Sequence, residues 1–207
     1  MGEVLRVAPN VILVAAANPV DTATRVSGLP ASRVISSGTI LDTARFRTLL
    51  GRHLGVSPFS VHSYVLGEHG DNEVLAWSNA RVDSLTLDQI SAQVNMPIDD
   101  EVRARIDDGV RKVAYKIING KGAIYYGIGG GLARLVEVIG RNQHAVFTLP
   151  SVTENVEGVR DVAVSVPRVL GSDGVTATLT PVLAREEHEA LAKSAQMMRE
   201  QVESLDL

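Results

Sequence analysis

Residues 33–54, RVISSGTILDTARFRTLLGRHL, decide the fold class, because a short strand passes directly into a helix there. The strand is expected to end at Ser37-Gly38, and the helix is expected over residues 41–54, where apolar residues recur at helical spacing. An earlier apolar run at 11–15 predicts another buried strand, which ends at Asn18-Pro19. Strands that alternate with helices indicate a parallel α/β unit, in which ligands bind at the carboxyl ends of the strands.

The rest of the chain predicts a second part in which helices and antiparallel strands are segregated. The expected elements are strands at 61–66 and 73–78, a loop up to Pro97, helices at 102–119 and 125–139, strands at 162–166 and 175–179 joined by a turn at 171–174, and a final helix with Leu191, Ala195, Met198, Val202 and Leu205 on one face. We interpret that face as core or as a subunit interface. The expected fold is therefore an α/β unit followed by a larger α+β unit.

Composition narrows the class of protein. Of the 207 residues, 45% are hydrophobic and 21% are charged, which is typical of a soluble globular protein. The net charge is −4 without any basic cluster, so nucleic-acid binding is not expected. Cysteine is absent, which excludes disulfides, thiolate catalysis and Cys-based zinc sites. The apolar run at 11–17 is too short to span a membrane and lacks the flanks of a signal peptide, so we expect a cytoplasmic protein.

Two stretches carry residues suited to acid–base chemistry. In residues 66–71 (LGEHGD), His69 stands between two glycines and two acidic residues. Upstream, Asp42 and Arg45 are three residues apart in the predicted helix and therefore share one face. Together these side chains could move a proton while they hold a carboxylate. Taken singly, His69 could be a turn histidine and the Asp42/Arg45 pair a surface salt bridge.

Other motifs are less specific. Asn18 and Ser37 follow the two predicted strands, where they could either line a ligand site or simply form turns. The glycine-rich residues 127–131 (GIGGG) resemble a phosphate loop, but Leu132 replaces the third glycine of G-x-G-x-x-G and no strand precedes them. Close helix packing explains this run better. Metal-ligand spacing is absent from the sequence, as is the G-x-S-x-G motif of serine hydrolases.

The chain resembles the L-lactate/malate dehydrogenase family over essentially its whole length. The stretches that carry this resemblance are Asn18-Pro19-Val20-Asp21, Ser37-Gly38-Thr39, residues 41–47 (LDTARFR), residues 67–71 (GEHGD) and residues 121–127 (KGAIYYG). Within the family, Glu68 before the histidine and Ala76-Trp77-Ser78 after it resemble the lactate branch.

The resemblance implies a role for each residue of the motifs. His69 would donate a proton to the carbonyl of pyruvate as NADH delivers hydride, and would act as the base for L-lactate. Asp42 would orient His69 and raise its proton affinity, and Arg45 would grip the substrate carboxylate. Asn18 would contact both substrate and cofactor, and Ser37 would line the nicotinamide end of NAD.

Three further positions bear on specificity and regulation. Ile124 stands where lactate enzymes usually have threonine beside the small side chain of the substrate. Arg47 and His62 match the pair that binds fructose 1,6-bisphosphate between subunits in allosteric bacterial members, which implies a homotetramer. The alternative is that both are ordinary surface cations.

The resemblance also shows what this sequence lacks. Members of the family begin with a dinucleotide-binding half that carries G-x-G-x-x-G and a mobile loop with a catalytic arginine; neither occurs here. We expect residues 1–38 to be the C-terminal remnant of that Rossmann-type domain and residues 39–207 to be the substrate domain. The expected activity is L-lactate dehydrogenase, with the isolated chain inactive. The alternatives are a malate or other 2-hydroxy acid dehydrogenase, and a non-catalytic oligomerisation module.

Overall fold

A computed structural model describes residues 2–16, 20–122 and 124–205. The α-helices are α1 (Gly2–Val7), α2 (Val20–Ser27), α3 (Ile40–Leu54), α4 (Leu87–Val94), α5 (Asp100–Arg111), α6 (Val113–Lys121), α7 (Tyr125–Gly140) and α8 (Arg185–Glu203). The strands are β1 (Leu13–Ala15), β2 (Val34–Ser36), β3 (Val61–His62), β4 (Val65–Gly67), β5 (Glu73–Leu75), β6 (Arg81–Val82), β7 (Leu85–Thr86), β8 (Ala145–Val156), β9 (Val159–Gly171) and β10 (Gly174–Thr178). None of the described helices is long and apolar enough to cross a membrane.

Strands β1 and β2 form the parallel pair that the N-terminal sequence predicts. Leu13 is opposite Val34 and Ala15 is opposite Ser36. Strand β2 is completely buried, whereas β1 is half-buried, so the expectation that the first strand is fully buried is wrong. The reason is coverage, because Val34 and Ile35 of β2 belong to buried clusters that include residues of β8 and β9, whereas the residues of β1 are only partly buried beside them.

The larger sheet is antiparallel. Its strand order is β10-β9-β4-β5, and β8 also pairs with β9. Strand β8 has no other strand partner among the described residues, which suits Pro150 because proline is tolerated at a sheet edge. The predicted turn at 171–174 joins β9 to β10, with Gly174 at φ 93°. Buried Arg168 links three strands by donating to Leu149, Ser151, Thr153 and Thr178.

The core divides into hydrophobic clusters that α3 and β2 help to join. The inner face of α3 contributes Phe46, Leu50 and Leu54 to a cluster that reaches α4 and α5. Ile35 of β2 packs with residues of α7, β8 and β9. Val34, its neighbour, packs with Ala163 of β9. The N-terminal strands therefore share cores with the antiparallel sheet.

Several elements differ from the sequence expectations. The single strand expected at 61–66 is two strands in different sheets, because β3 pairs with β6 and β4 pairs with β5 and β9. The helix expected over 102–119 is broken at Lys112, where α5 ends and α6 begins. The loop expected up to Pro97 contains β6, β7 and α4. Helix α4 begins with a capping box between Thr86 and Gln89, a signal that the sequence carries.

Two glycines of the 127–131 run lie where helix α7 packs on α3. A Cβ on Gly127 would lie 3.5 Å from Leu41 Cδ1, and a Cβ on Gly131 would lie 3.4 Å from Ile40 Cγ2. These positions are one helical turn apart and so face the same side. At these distances a Cβ would make ordinary van der Waals contact with α3, so both glycines face α3 but the packing does not by itself require them.

Candidate active site

Helix α3 carries two of the catalytic candidates, and buried hydroxyl groups fix its first turns. Thr39 Oγ1 donates a hydrogen bond to the carbonyl of Val65 at 2.5 Å. Val65 N–H donates to Thr43 Oγ1 at 3.0 Å, and Thr43 Oγ1 pairs with Thr148 Oγ1 at 3.0 Å. Both helix threonines are buried, where hydrogen bonds are strengthened by the low dielectric. The turn that contains Asp42 is therefore tied to β4 and β8.

Asp42 is the centre of the site, because each of its carboxylate oxygens has a partner. Its side chain is 2% exposed, and Oδ1 accepts a hydrogen bond from Arg45 Nη1 at 2.6 Å. Oδ2 lies 2.6 Å from His69 Nδ1. The hydrogen bond with Asp42 raises the pKa of His69, against the opposing effect of burial. The structure thus brings His69, which is 27 residues from Asp42 in sequence, to the Asp42/Arg45 pair.

The turn before His69 is shaped by a close approach of helix α8. Gly67 has φ 83°, and a Cβ at this position would lie 2.5 Å from Ser194 Oγ. Ser194 is fully buried on α8, and its Oγ accepts a hydrogen bond from Glu68 N–H at 2.8 Å. Only glycine fits such a left-handed and crowded position without strain. Ser194 therefore holds the backbone immediately before His69.

Helix α5 holds the other end of the same turn. Arg111 donates from Nη1 to the carbonyl of Asp71 at 2.8 Å and from Nη2 to the carbonyl of Glu73 at 2.7 Å. Its guanidinium therefore binds two main-chain carbonyls that follow His69. The segment around His69 is therefore held by α8 on its N-terminal side and by α5 on its C-terminal side.

Glu73 is an acidic residue buried next to this cluster. Its relative exposure is 4%, and its Oε1 has no hydrogen-bond partner among the described residues. Burial raises the pKa of Glu73 to about 8, and repulsion from Asp42 acts in the same direction. A carboxyl group in these surroundings favours its neutral form.

Atoms of Asp42, His69 and Glu73 that could ligate a metal lie within 4.8 Å of one another. Both Asp42 oxygens, however, already have partners, and Arg45 adds a positive charge that opposes another cation. We therefore describe the three residues as a cluster of titratable groups, in which Asp42 and His69 are hydrogen-bonded and Glu73 lies beside them, and do not assign them as metal ligands.

Arg45 and Ile124 line one cavity of about 360 Å³ between α3 and the helices α6 and α7. Most of its remaining lining is apolar, with Leu41, Leu49 and Ile117 among the contributors. His69 is not among the residues that line this cavity. Arg45 links the cavity to His69. It lines the cavity and also binds Asp42, which in turn binds His69.

Arg47 and His62 line a separate groove of about 620 Å³ together with Tyr64 and Arg134. Arg47 donates to the carbonyl of Ser63 at 3.0 Å and lies over the ring of Tyr64, 5.5 Å from its centroid. Burial lowers the pKa of Arg47 from its ordinary value. The two residues that the resemblance pairs thus lie on one surface, and Arg134 adds a basic side chain there.

Comparison with known proteins identifies the family. The sequence model of one protein family, the lactate/malate dehydrogenase alpha/beta C-terminal domain, matches residues 39–206. The chain belongs to this family. It is 58% identical over 202 residues to an L-lactate dehydrogenase of Allorhizobium ampelinum, a match that covers 96% of this chain and 65% of that protein. It is 53% identical to an L-lactate dehydrogenase of Thermus aquaticus, with 95% and 65% covered. The chain thus spans 65% of the length of these two relatives.

Ser37, another position implied by the family resemblance, lies next to the N-terminal strands. Ser37 is buried directly after β2, and its N–H donates to the carbonyl of Ala15 at 3.3 Å. It therefore lies at the carboxyl end of the parallel pair. Asn18 lies outside the described residues.

Sequence reasoning missed Glu73 and Ser194 as contributors to the site of this family member. Glu73 is an acidic residue at the start of an otherwise apolar run, and Ser194 interrupts the apolar stripe of α8 beside Leu191 and Ala195. A polar residue within a buried face is a usable signal. Which carboxyl or hydroxyl group it meets depends on the packing of distant elements.

Proposed function

We propose that this chain is the substrate-binding and acid–base part of an NAD-dependent L-lactate dehydrogenase, which interconverts pyruvate and L-lactate. The observation that carries the proposal is the double engagement of Asp42, which binds His69 on one oxygen and Arg45 on the other at 2.6 Å each. A proton carrier and a carboxylate-binding group are thereby held on one buried anion. The names of the Allorhizobium and Thermus relatives support the same activity.

The acid–base step follows from which nitrogen of His69 faces Asp42. When Nδ1–H donates to Asp42, Nε2 is the nitrogen that can face a substrate. Protonated His69 then gives the Nε2 proton to the carbonyl oxygen of pyruvate, and neutral His69 takes it back from the hydroxyl of lactate. Asp42 stabilises the imidazolium, which keeps His69 protonated at a higher pH than an isolated histidine.

Substrate selection rests on Arg45 and the apolar cavity that it lines. The planar guanidinium can bind a carboxylate through two parallel hydrogen bonds, which a lysine could not do. Ile124 offers no hydrogen bond to a second carboxylate, so burying oxaloacetate beside it would carry a desolvation cost that the methyl group of pyruvate avoids. We therefore place the enzyme in the lactate branch rather than the malate branch.

Residues 1–38 would be the last part of a Rossmann-type NAD-binding domain, and residues 39–207 the substrate domain. When bound, NADH supplies the hydride. The buried position of Ser37 at the carboxyl end of parallel β2 fits a contact with the nicotinamide end of the cofactor. Asn18 would contact cofactor and substrate.

The groove with Arg47 and His62 would bind fructose 1,6-bisphosphate in a homotetramer. Arginine and protonated histidine suit phosphate groups, and Arg134 on α7 adds a third basic side chain to the same groove.

The activity is tested by fusing this chain to the N-terminal part of the Allorhizobium relative and measuring NADH oxidation. We expect kcat/KM to be higher for pyruvate than for oxaloacetate. His69→Asn should lower kcat by roughly 10²- to 10⁴-fold, the usual contribution of a general acid. The control is His188→Asn, since His188 pairs with Glu157 and not with Asp42.

Three results would contradict the proposal. Preference for oxaloacetate would move the chain to the malate branch. Full activity of His69→Asn would remove the assigned proton donor. A folded fusion that binds NADH but reduces neither substrate would favour a non-catalytic oligomerisation role.

The effector site is tested in the same fusion. Fructose 1,6-bisphosphate should lower the KM for pyruvate and favour the tetramer in sedimentation experiments. Replacing Arg47 and His62 by glutamine should abolish both responses, whereas Arg185→Gln should preserve them, because Arg185 pairs with Glu189 on α8. An unchanged KM and oligomeric state in the parent would refute an effector site.

A further inference from the structure

Glu73 is a buried carboxyl group that the acid–base mechanism has not used. It begins β5 opposite Gly67, and its Oε1 has no hydrogen-bond partner among the described residues. Arg111 of α5 donates from Nη2 to the main-chain carbonyl of Glu73 and not to its carboxyl group. An ionised Glu73 would thus be a buried charge without a counter-ion bonded to it, which is costly.

The carboxyl group lies beside the proton carrier itself. An oxygen of Glu73, the ring nitrogen of His69 and an oxygen of Asp42 lie within 4.8 Å of one another. Asp42 and Glu73 are buried and His69 is exposed, so the two carboxyl groups are poorly screened by water. Charges at such separations change each other's proton affinity. The titratable and charged side chains that face Glu73 or line the depression beside it are Asp42 and Arg45 of α3, His69 of the turn, Arg103, Asp107 and Arg111 of α5, and Glu186 and Glu187 of α8.

We propose that Glu73 is a positioning residue for proton transfer, which acts through the Asp42–His69 pair so that Glu73 and His69 bind and release protons as one coupled unit. With one proton shared between His69 and Glu73, the cluster stays electrically balanced, since Arg45 offsets Asp42. When Glu73 is neutral, His69 has Asp42 as its one anionic neighbour in the cluster. When Glu73 ionises, a second negative charge stabilises the imidazolium and His69 keeps its proton to higher pH.

This inference rests on the proposed dehydrogenase function only for its catalytic consequence. If His69 donates the proton to pyruvate, a partner that retains that proton at alkaline pH extends reduction toward higher pH. The coupling itself is a property of the 207-residue chain. It can therefore be measured without substrate or cofactor.

The direct test is an NMR titration of the 207-residue chain with isotope-labelled histidine, in which His69→Gln identifies the His69 signal. Wild type should show a broad titration of His69, and Glu73→Gln should convert it to a single step with the midpoint about one pH unit lower. The matched control is Glu186→Gln, which removes an exposed carboxylate that lines the same depression. Identical His69 curves in wild type and Glu73→Gln would overturn the proposal.

A reciprocal measurement keeps the test decisive if Glu73→Gln fails to fold. Labelled glutamate carboxyl signals in wild type and His69→Gln report the same coupling from the other side, because linkage is reciprocal. Removing the imidazolium should move the Glu73 midpoint upward by about the same amount, one unit. An unchanged Glu73 midpoint would also overturn the proposal.

The pH profile of the active fusion separates positioning from mere structural support. Glu73→Gln should move the alkaline limb of kcat/KM for pyruvate down by about one pH unit and leave kcat at acidic pH unchanged. A uniform loss at every pH would show a structural role and refute the coupling. Coupled titrations in a fusion without pyruvate reduction would refute the proposed function alone.

Discussion

Replacing Gly67 by alanine should destabilise the chain more than any ordinary surface change, because two separate penalties meet at this position. A left-handed backbone at φ 83° costs a residue with a Cβ about 1–2 kcal/mol. The new Cβ would also lie 2.5 Å from Ser194 Oγ and 3.1 Å from Ser194 Cβ, and such overpacking costs about 1–3 kcal/mol. The free energy of unfolding should therefore fall by roughly 2–5 kcal/mol.

The assay is urea and thermal unfolding of the chain, followed by circular dichroism and by the fluorescence of its single tryptophan. A loss of this size corresponds to a drop in Tm of roughly 4–20 °C for a domain of this length. Gly55→Ala isolates the backbone penalty, since Gly55 has φ 69° but nothing within 4 Å of a Cβ. It should cost only about 1–2 kcal/mol.

A double-mutant cycle then tests the steric part. Ser194→Ala alone should cost about 1–3 kcal/mol, because Glu68 N–H loses its acceptor. In the double variant, Ser194→Ala removes Oγ, the atom closest to the new Cβ at position 67. The double variant should therefore be less destabilised than the sum of the two single variants by about 0.5–3 kcal/mol. Equal effects of Gly67→Ala and Gly55→Ala, or strict additivity in the cycle, would refute the crowding between α8 and the turn.

Three further predictions concern the core, the pH dependence and the substrate cavity. Phe46→Ala, at a fully buried position, should lower the free energy of unfolding by about 3–5 kcal/mol. Phe59→Ala, at an exposed position, should change it by less than about 0.5 kcal/mol. Comparable losses for the two variants in urea unfolding would contradict the burial of the inner face of α3. Burial raises the pKa of Glu73 from 4.5 to about 8, so between these pH values the folded state holds a proton that the unfolded state has lost. The free energy of unfolding should therefore fall as the pH rises from 4.5 to 8, and Glu73→Gln should flatten that decline. Ile124→Thr should raise kcat/KM for pyruvate in the active fusion by relieving crowding in the cavity, and a value no better than the parent would reject that argument.

Local patterns in the sequence were enough for some elements. Helix α3 follows from apolar residues at helical spacing, and the structure shows that it ends at Gly55 in the left-handed conformation. The β9–β10 hairpin follows from alternating valines around a glycine turn. In each case the deciding interactions lie within a few residues of one another. The sequence also placed His69 between glycines and put Asp42 and Arg45 on one helical face.

Distant packing decided the rest. Strand β8 was not predicted, because Pro150 interrupts its pattern and only pairing with β9 makes it a strand. The break at Lys112 and the division of residues 61–67 between two sheets depend likewise on which neighbours each segment meets.

The site shows the same division between local and distant causes. The sequence by itself determined which side chains could carry a proton and bind a carboxylate, because those properties belong to the residues. Tertiary structure alone decided that Asp42 meets His69, that Ser194 holds Glu68, and that Glu73 is buried beside them. These contacts join segments that are far apart in sequence, so they arise from the joint packing of α3, α5 and α8 around β4 and β5, which no local pattern encodes.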